Sequence, residues 1–112
     1  MELKITDHKD IKIIHLEGRM DVTLSGEMEV ELIKLIDTGV SKMILDVQKL
    51  DCLSSSGIRV FIAIFRKLTE RKGKLVFCQM TPQIRKIFKI VELDDLFEFH
   101  DNMYEAFCAF DA

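Results

Sequence analysis

No stretch of this sequence approaches the roughly 18 consecutive apolar residues that a membrane span demands, so insertion into a bilayer is not expected. Proline occurs once and no linker-like or repetitive segment appears, which points to one compact domain over residues 1–112. The cysteines Cys52, Cys78 and Cys108 are odd in number and widely spaced. Without a CxxC pair or a Cys/His cluster they offer neither a disulfide framework nor a metal site. Their apolar settings read as buried free thiols in a reducing cytoplasm. The opening residues MELKITDHKD lack the basic-then-apolar layout of a secretory leader, so the expected address is cytoplasmic. No cofactor or metal is expected.

What is present suits a globular protein. Of the 112 residues, 48% are hydrophobic and 31% charged, enough apolar content for a single core. The net charge of −3 argues against nucleic acid as a partner, but the charge is uneven. Residues 59–89 carry nine basic side chains against the single acid Glu70. That stretch is a docking face for an acidic partner or the solvated outside of helices. The second reading stands at least level with the first.

Hydrophobic spacing gives the elements. LKI at 3–5 and IKIIHLEG at 11–18 are expected strands joined across the polar turn TDHKD. Leu24, Met28, Leu32, Leu35 and Ile36 recur at helical steps, with Asp21 to Thr23 leading in and Gly39 as the stop. KMILDV at 42–47 and KLVFC at 74–78 read as short buried strands. Between them Ile58, Phe61, Ile62, Phe65 and Leu68 form a helical stripe ending at Gly73. Val60, Ala63 and Ile64 make a second side of that helix apolar too, leaving Arg59, Arg66 and Glu70 as a narrow polar seam. Such a helix is buried or presents its second side to a partner. Thr81-Pro82 opens another helix with Ile84, Ile87, Phe88 and Val91 inward. LFEFH at 96–100 is a last strand or a link. Asp101 or Asn102 then caps a terminal helix with Met103, Phe107 and Phe110 on one side. Alternating strands and helices predict an α/β fold: a mixed sheet of four to five strands covered by about four helices.

The segment LDCLSSSGIRVF at 50–61 sets three hydroxyls at the doorway of an apolar helix. One of Ser54, Ser55 and Ser56 caps that helix, a contribution of about 1 kcal/mol. Two remain. Covalent catalysis would require a base and a glycine-framed turn, and G-x-S-x-G is absent. A phosphate-cradling loop would require several glycines, and only Gly57 is present. The histidines His8, His15 and His100 give no sequence support for a triad, so an active site of its own is not expected. Phosphorylation suits the position better: a phosphoserine at a helix N-terminus meets free N–H groups and the positive end of the dipole. It would change the surface more than the shape.

LSSSGI at 53–58, after an apolar strand and before an apolar helix, resembles the phosphorylation loop of STAS domains, which include the bacterial anti-sigma factor antagonists. LEGRMD at 16–21 is similar to the family's L-x-G-x-Leu/Met-Asp element. The order of elements agrees from residue 3 to about 110. The resemblance implies that Ser56 is the phosphoacceptor, with Ser55 the alternative, and that Ser54, Ser55, Ser56, Gly57 and Asp21 form the partner-binding loop. Ser54 departs from the pattern, standing where the family usually has aspartate. The implied function is phosphorylation-controlled partner switching. An anti-sigma factor serine kinase would be bound and would phosphorylate the loop, and a serine phosphatase would reset it. ATP and metal would belong to those partners. Two rivals are a docking subunit of a transport or lipid-trafficking ATPase complex and a small-ligand or nucleotide-sensing module.

Overall fold

The computed structural model describes residues 2–111. Strand β1, Glu2–His8, runs antiparallel to β2, Ile11–Met20. Helix α1, Val22–Asp37, leads to β3, Lys42–Leu53, and α2, Ser55–Glu70, leads to β4, Lys74–Cys78. Helix α3, Pro82–Ile90, strand β5, Glu98–His100, and helix α4, Met103–Cys108, complete the chain. The five strands lie in the order β1-β2-β3-β4-β5, with β2 to β5 mutually parallel. This is the mixed sheet with four helices that the hydrophobic spacing predicts.

Alternation along the strands divides the core. Ile14, Leu16, Met43, Leu45, Val47, Leu75 and Phe77 face one way and pack against α1, α2 and α3. On that side Phe61, Phe77, Phe88 and Phe97 interlock with centroids 5.1–6.1 Å apart. Ile11, Ile13, Ile44, Val76 and Cys78 face the other way, under Ala106, Met103, Phe107 and Phe110 of α4 and the residues after it. Among the described residues this second layer has one short helix, so part of the sheet's second face stays open.

Several expectations change. Thr6, Asp7 and His8 belong to β1, and the turn is confined to Lys9-Asp10, with Lys9 at φ 57°. β2 and β3 run on to Met20 and Leu53, accommodated by register shifts between His15 and Glu17 and between Gly18 and Arg19. Gly18 sits at φ 93°, which explains a glycine there. On α2 the buried residues are Val60, Phe61, Ile64 and Leu68, whereas Ile58, Ile62, Ala63 and Phe65 are half-buried. Of the cysteines only Cys78 is buried; its thiol is pushed up to about 12, by burial first and by the Asp46 charge second. Cys52 and Cys108 are exposed, the first near the end of β3 and the second at the end of α4. Asn102, not Asp101, caps α4, accepting from Glu105 N at 2.9 Å.

Candidate functional site

The ends of β2 and β3 lie side by side, Met20 opposite Leu53, with Met20 and Leu50 buried in the core. Each strand then enters a helix through an oxygen-bearing cap. Asp21 caps α1 by accepting from Leu24 N at 2.9 Å, and the buried Ser25 hydroxyl donates back to the Asp21 carbonyl at 2.6 Å. Ser54 caps α2 by accepting from Gly57 N at 3.2 Å. The two caps are tied together, because the Met20 carbonyl accepts from Ser54 N at 3.1 Å and from Ser54 Oγ at 2.7 Å. Asp21 and Ser54 line one shallow groove with Arg19, Cys52 and Leu53. The structure therefore sets Asp21 beside Ser54 at the start of the serine loop.

The capping question has one answer. Ser54 is the cap, so its hydroxyl is committed to Gly57 and Met20. Ser55 and Ser56 are the first two helical residues, the former exposed and the latter half-buried. Among the described residues neither hydroxyl has a hydrogen-bond partner, and neither backbone N–H has an acceptor. These two N–H groups, rather than that of Gly57, are the open donors at the positive end of the helix. Gly57 is needed for closeness: a Cβ there would stand 2.7 Å from Leu53 Cδ1 and 2.9 Å from Met20 Cγ. The glycine lets the first turn of α2 sit down on the two strand ends.

The uncovered second side of α2, which spacing sets at Val60, Ala63 and Ile64, runs instead along Ile58, Ile62 and Ala63, because Val60 and Ile64 turn into the core. Ser55, Ile58, Arg59, Ile62, Ala63 and Arg66 line an open groove beside the free hydroxyls. Its apolar floor is the side of α2 that the sheet does not cover. Among the described residues no three His, Cys, Asp or Glu side chains gather as a metal site, and no helix is long and apolar enough to cross a membrane.

A family model described as "STAS domain" matches residues 2–106. The chain belongs to the STAS domain family. Among its STAS relatives, BtrV of Bordetella bronchiseptica, which carries an anti-sigma factor antagonist designation, is 29% identical over 110 residues, covering 98% of this chain and 95% of that protein. A Thermotoga maritima structure with the same designation superposes at a TM-score of 0.91 with 13% identity, covering 96% of this chain and 92% of that one. SpoIIAA, an anti-sigma factor antagonist whose structure is known unphosphorylated and phosphorylated, gives TM-scores of 0.78 and 0.77 at 19% identity. Those comparisons cover 96% of this chain each, and 96% and 98% of SpoIIAA. At such identities the structures speak for the STAS fold alone.

Proposed function

We propose that this STAS protein is a cytoplasmic anti-sigma factor antagonist working by phosphorylation-controlled partner switching. The unmodified protein binds an anti-sigma factor that is also a serine kinase. Transfer of phosphate to Ser56 ends the complex, and a serine phosphatase restores it. The chain acts as a regulator and requires no cofactor or metal of its own. Its partner-binding surface is the loop of Asp21, Ser54, Ser55, Ser56 and Gly57, continued by the α2 groove.

One observation carries this reading. Ser54 takes over the capping role, so the next two hydroxyls and their N–H groups are left without structural duties at a helix N-terminus. A phosphoryl group there gains about 0.3–1 kcal/mol from the dipole, so modification leaves the fold intact. Ser55 lines the groove where Ile58 and Ile62 would receive a partner's apolar residues, and a dianion on the adjacent Ser56 adds charge beside it that opposes docking. The designation of BtrV supports the same reading.

The test is phosphosite mapping after incubation with candidate anti-sigma kinases and ATP. Wild type and Ser55→Ala should be labelled, Ser56→Ala should not, and Ser56→Asp should bind the kinase at least about 10-fold more weakly. Label on Ser55 would move the acceptor by one residue. Absence of label with every kinase, alongside persistent binding to some other complex, would replace the switch by a docking role.

A further inference from the structure

The histidines have no role in the partner-switching scheme, yet the sheet builds one of them into a hydrogen-bonded chain. On the second face, α4 covers one end of the strands. At the other end lies a cleft of about 280 Å³, lined by Thr6, His15, Asp46, Lys4, Lys49 and Gln48 among others. Thr6 comes from β1, His15 from β2 and Asp46 from β3, with His15 and Asp46 as direct cross-strand partners. His15 Nδ1 lies 2.8 Å from Asp46 Oδ2, and His15 Nε2 lies 3.0 Å from Thr6 Oγ1. The second carboxylate oxygen of Asp46 accepts from Gln48 N at 3.1 Å, which holds the carboxylate in place.

Hydrogen-bonding capacity orders this chain. An ionised carboxylate only accepts, so His15 Nδ1 must carry the proton it shares with Asp46. In the neutral ring Nε2 is then a lone-pair acceptor, and Thr6 must donate its hydroxyl proton to it. A hydroxyl aimed at a base, with the base oriented by a third group, is the arrangement that activates a nucleophile. The His15 side chain is 33% exposed and that of Asp46 14%, so the ring meets solvent while its anchor is largely covered.

We propose that Thr6, His15 and Asp46 form an activated-hydroxyl site at which Thr6 captures the acyl group of a small activated ester. Thr6 Oγ1 attacks the carbonyl carbon as its proton passes to His15 Nε2. The bond from that carbon to the ester's leaving oxygen breaks, and the leaving group takes the proton from Nε2 and departs as an alcohol. The product is an ester on Thr6, with His15 neutral again. The Asp46 carboxylate holds the Nδ1–H throughout and faces the transient imidazolium. The nearby cations, Lys4 and Lys49, sit on flexible stems and stabilise an oxyanion less well than fixed donors. The site should therefore take one acyl group and hydrolyse it slowly. This inference is independent of the phosphorylation of Ser56, which belongs to α2 on the sheet's other face.

p-Nitrophenyl acetate is the probe. At neutral pH the full chain should release one equivalent of p-nitrophenol in a burst and gain one acetyl group, mapped to Thr6 by mass spectrometry and removed by hydroxylamine as an ester. Thr6→Val should lose the burst, and His15→Gln should slow it by about 100-fold or more. Both variants should keep the wild-type circular dichroism. A hydroxylamine-stable label on Lys4 or Lys49, or a burst unchanged in either variant, would overturn the proposal.

Discussion

Ser54 joins β2, β3 and α2 with a single hydroxyl, donating to the Met20 carbonyl while accepting from Gly57 N. Ser54→Ala removes both bonds from a half-buried position and should cost about 1–2 kcal/mol. Ser54→Asp is more informative. Aspartate is as good a helix cap as serine, but an ionised carboxylate has no proton to give Met20. It should fall about 1 kcal/mol below wild type, a loss of roughly 4–8 °C in melting temperature for a domain of this size. Ser54→Thr, which keeps the hydroxyl, should stay near wild type. A melting temperature for Ser54→Asp at or above wild type would show that the bond to Met20 contributes nothing. The choice among the three serines was not legible in the sequence, since each is chemically able to cap. It is settled by a carbonyl 34 residues away along the chain, which local pattern does not reveal.

Elements were legible where burial imposes a period and obscure where it does not. β3 reads clearly over its apolar run, but its last six residues, QKLDCL, are mostly polar, bury only Leu50 and stay in the strand by pairing with β2. β1 ends in the polar Thr6, Asp7 and His8 because it is an edge strand with an open face. On α2 apolar residues nearly encircle the helix, so spacing alone leaves the inward stripe open. Contacts with Phe77 and Phe88 select Phe61 as the centre of that stripe. The end of α2 shows the same division. Gly73 reads as its cap, but the left-handed residue is Lys72, at φ 59°. Gly73 is glycine because a Cβ there would collide with the Ser41 carbonyl, which accepts from Lys74 N at 2.8 Å where β3 and β4 begin to pair. Gly73→Ala should therefore force the two strand starts apart and cost about 1–3 kcal/mol. Gly26→Ala, in the exposed middle of α1 with nothing within 4 Å of the new methyl group, should instead stabilise by about 0.5–1 kcal/mol. Chemical denaturation of the two variants compares them directly. Equal effects would refute the role given to Ser41.

At the scale of the whole molecule, the basic run of residues 59–89 does not become one basic face. Folding returns much of it to acids from elsewhere in the chain. Arg59 meets Glu29, Lys67 and Arg71 share Asp37 at 3.0 and 2.9 Å, and Lys74 meets Glu98 at 3.3 Å. Asp37 thus clamps the C-terminal ends of α1 and α2. The Lys67 hydrogen bond is the largest influence on its carboxyl and, with the Lys67 and Arg71 charges, holds it below the ordinary range against an opposing desolvation. Asp10 is lowered in the same way by Lys42. Burial alone would raise Glu98, but His100 and Lys74 together bring it below its usual value. A carboxyl lowered in the folded state stabilises the fold above its unfolded pKa, about 3.9 for aspartate and 4.3 for glutamate. That stabilisation disappears as the pH falls through and below those values, when the folded protein must take up the protons too. Melting temperature should accordingly change little from neutrality to about pH 5 and fall steeply below about pH 4. Asp37→Asn removes the one acid that serves two cations, so its melting curve should be lower at neutral pH and approach wild type in acid. Since these pairs are exposed, high salt should narrow the difference between the two proteins at neutral pH. Thermal unfolding of both across that pH range, at low and high salt, measures it. Parallel curves with the same gap at every pH would mean that Asp37 acts through packing, and that charge pairing between the two halves of the chain does not hold α1 to α2.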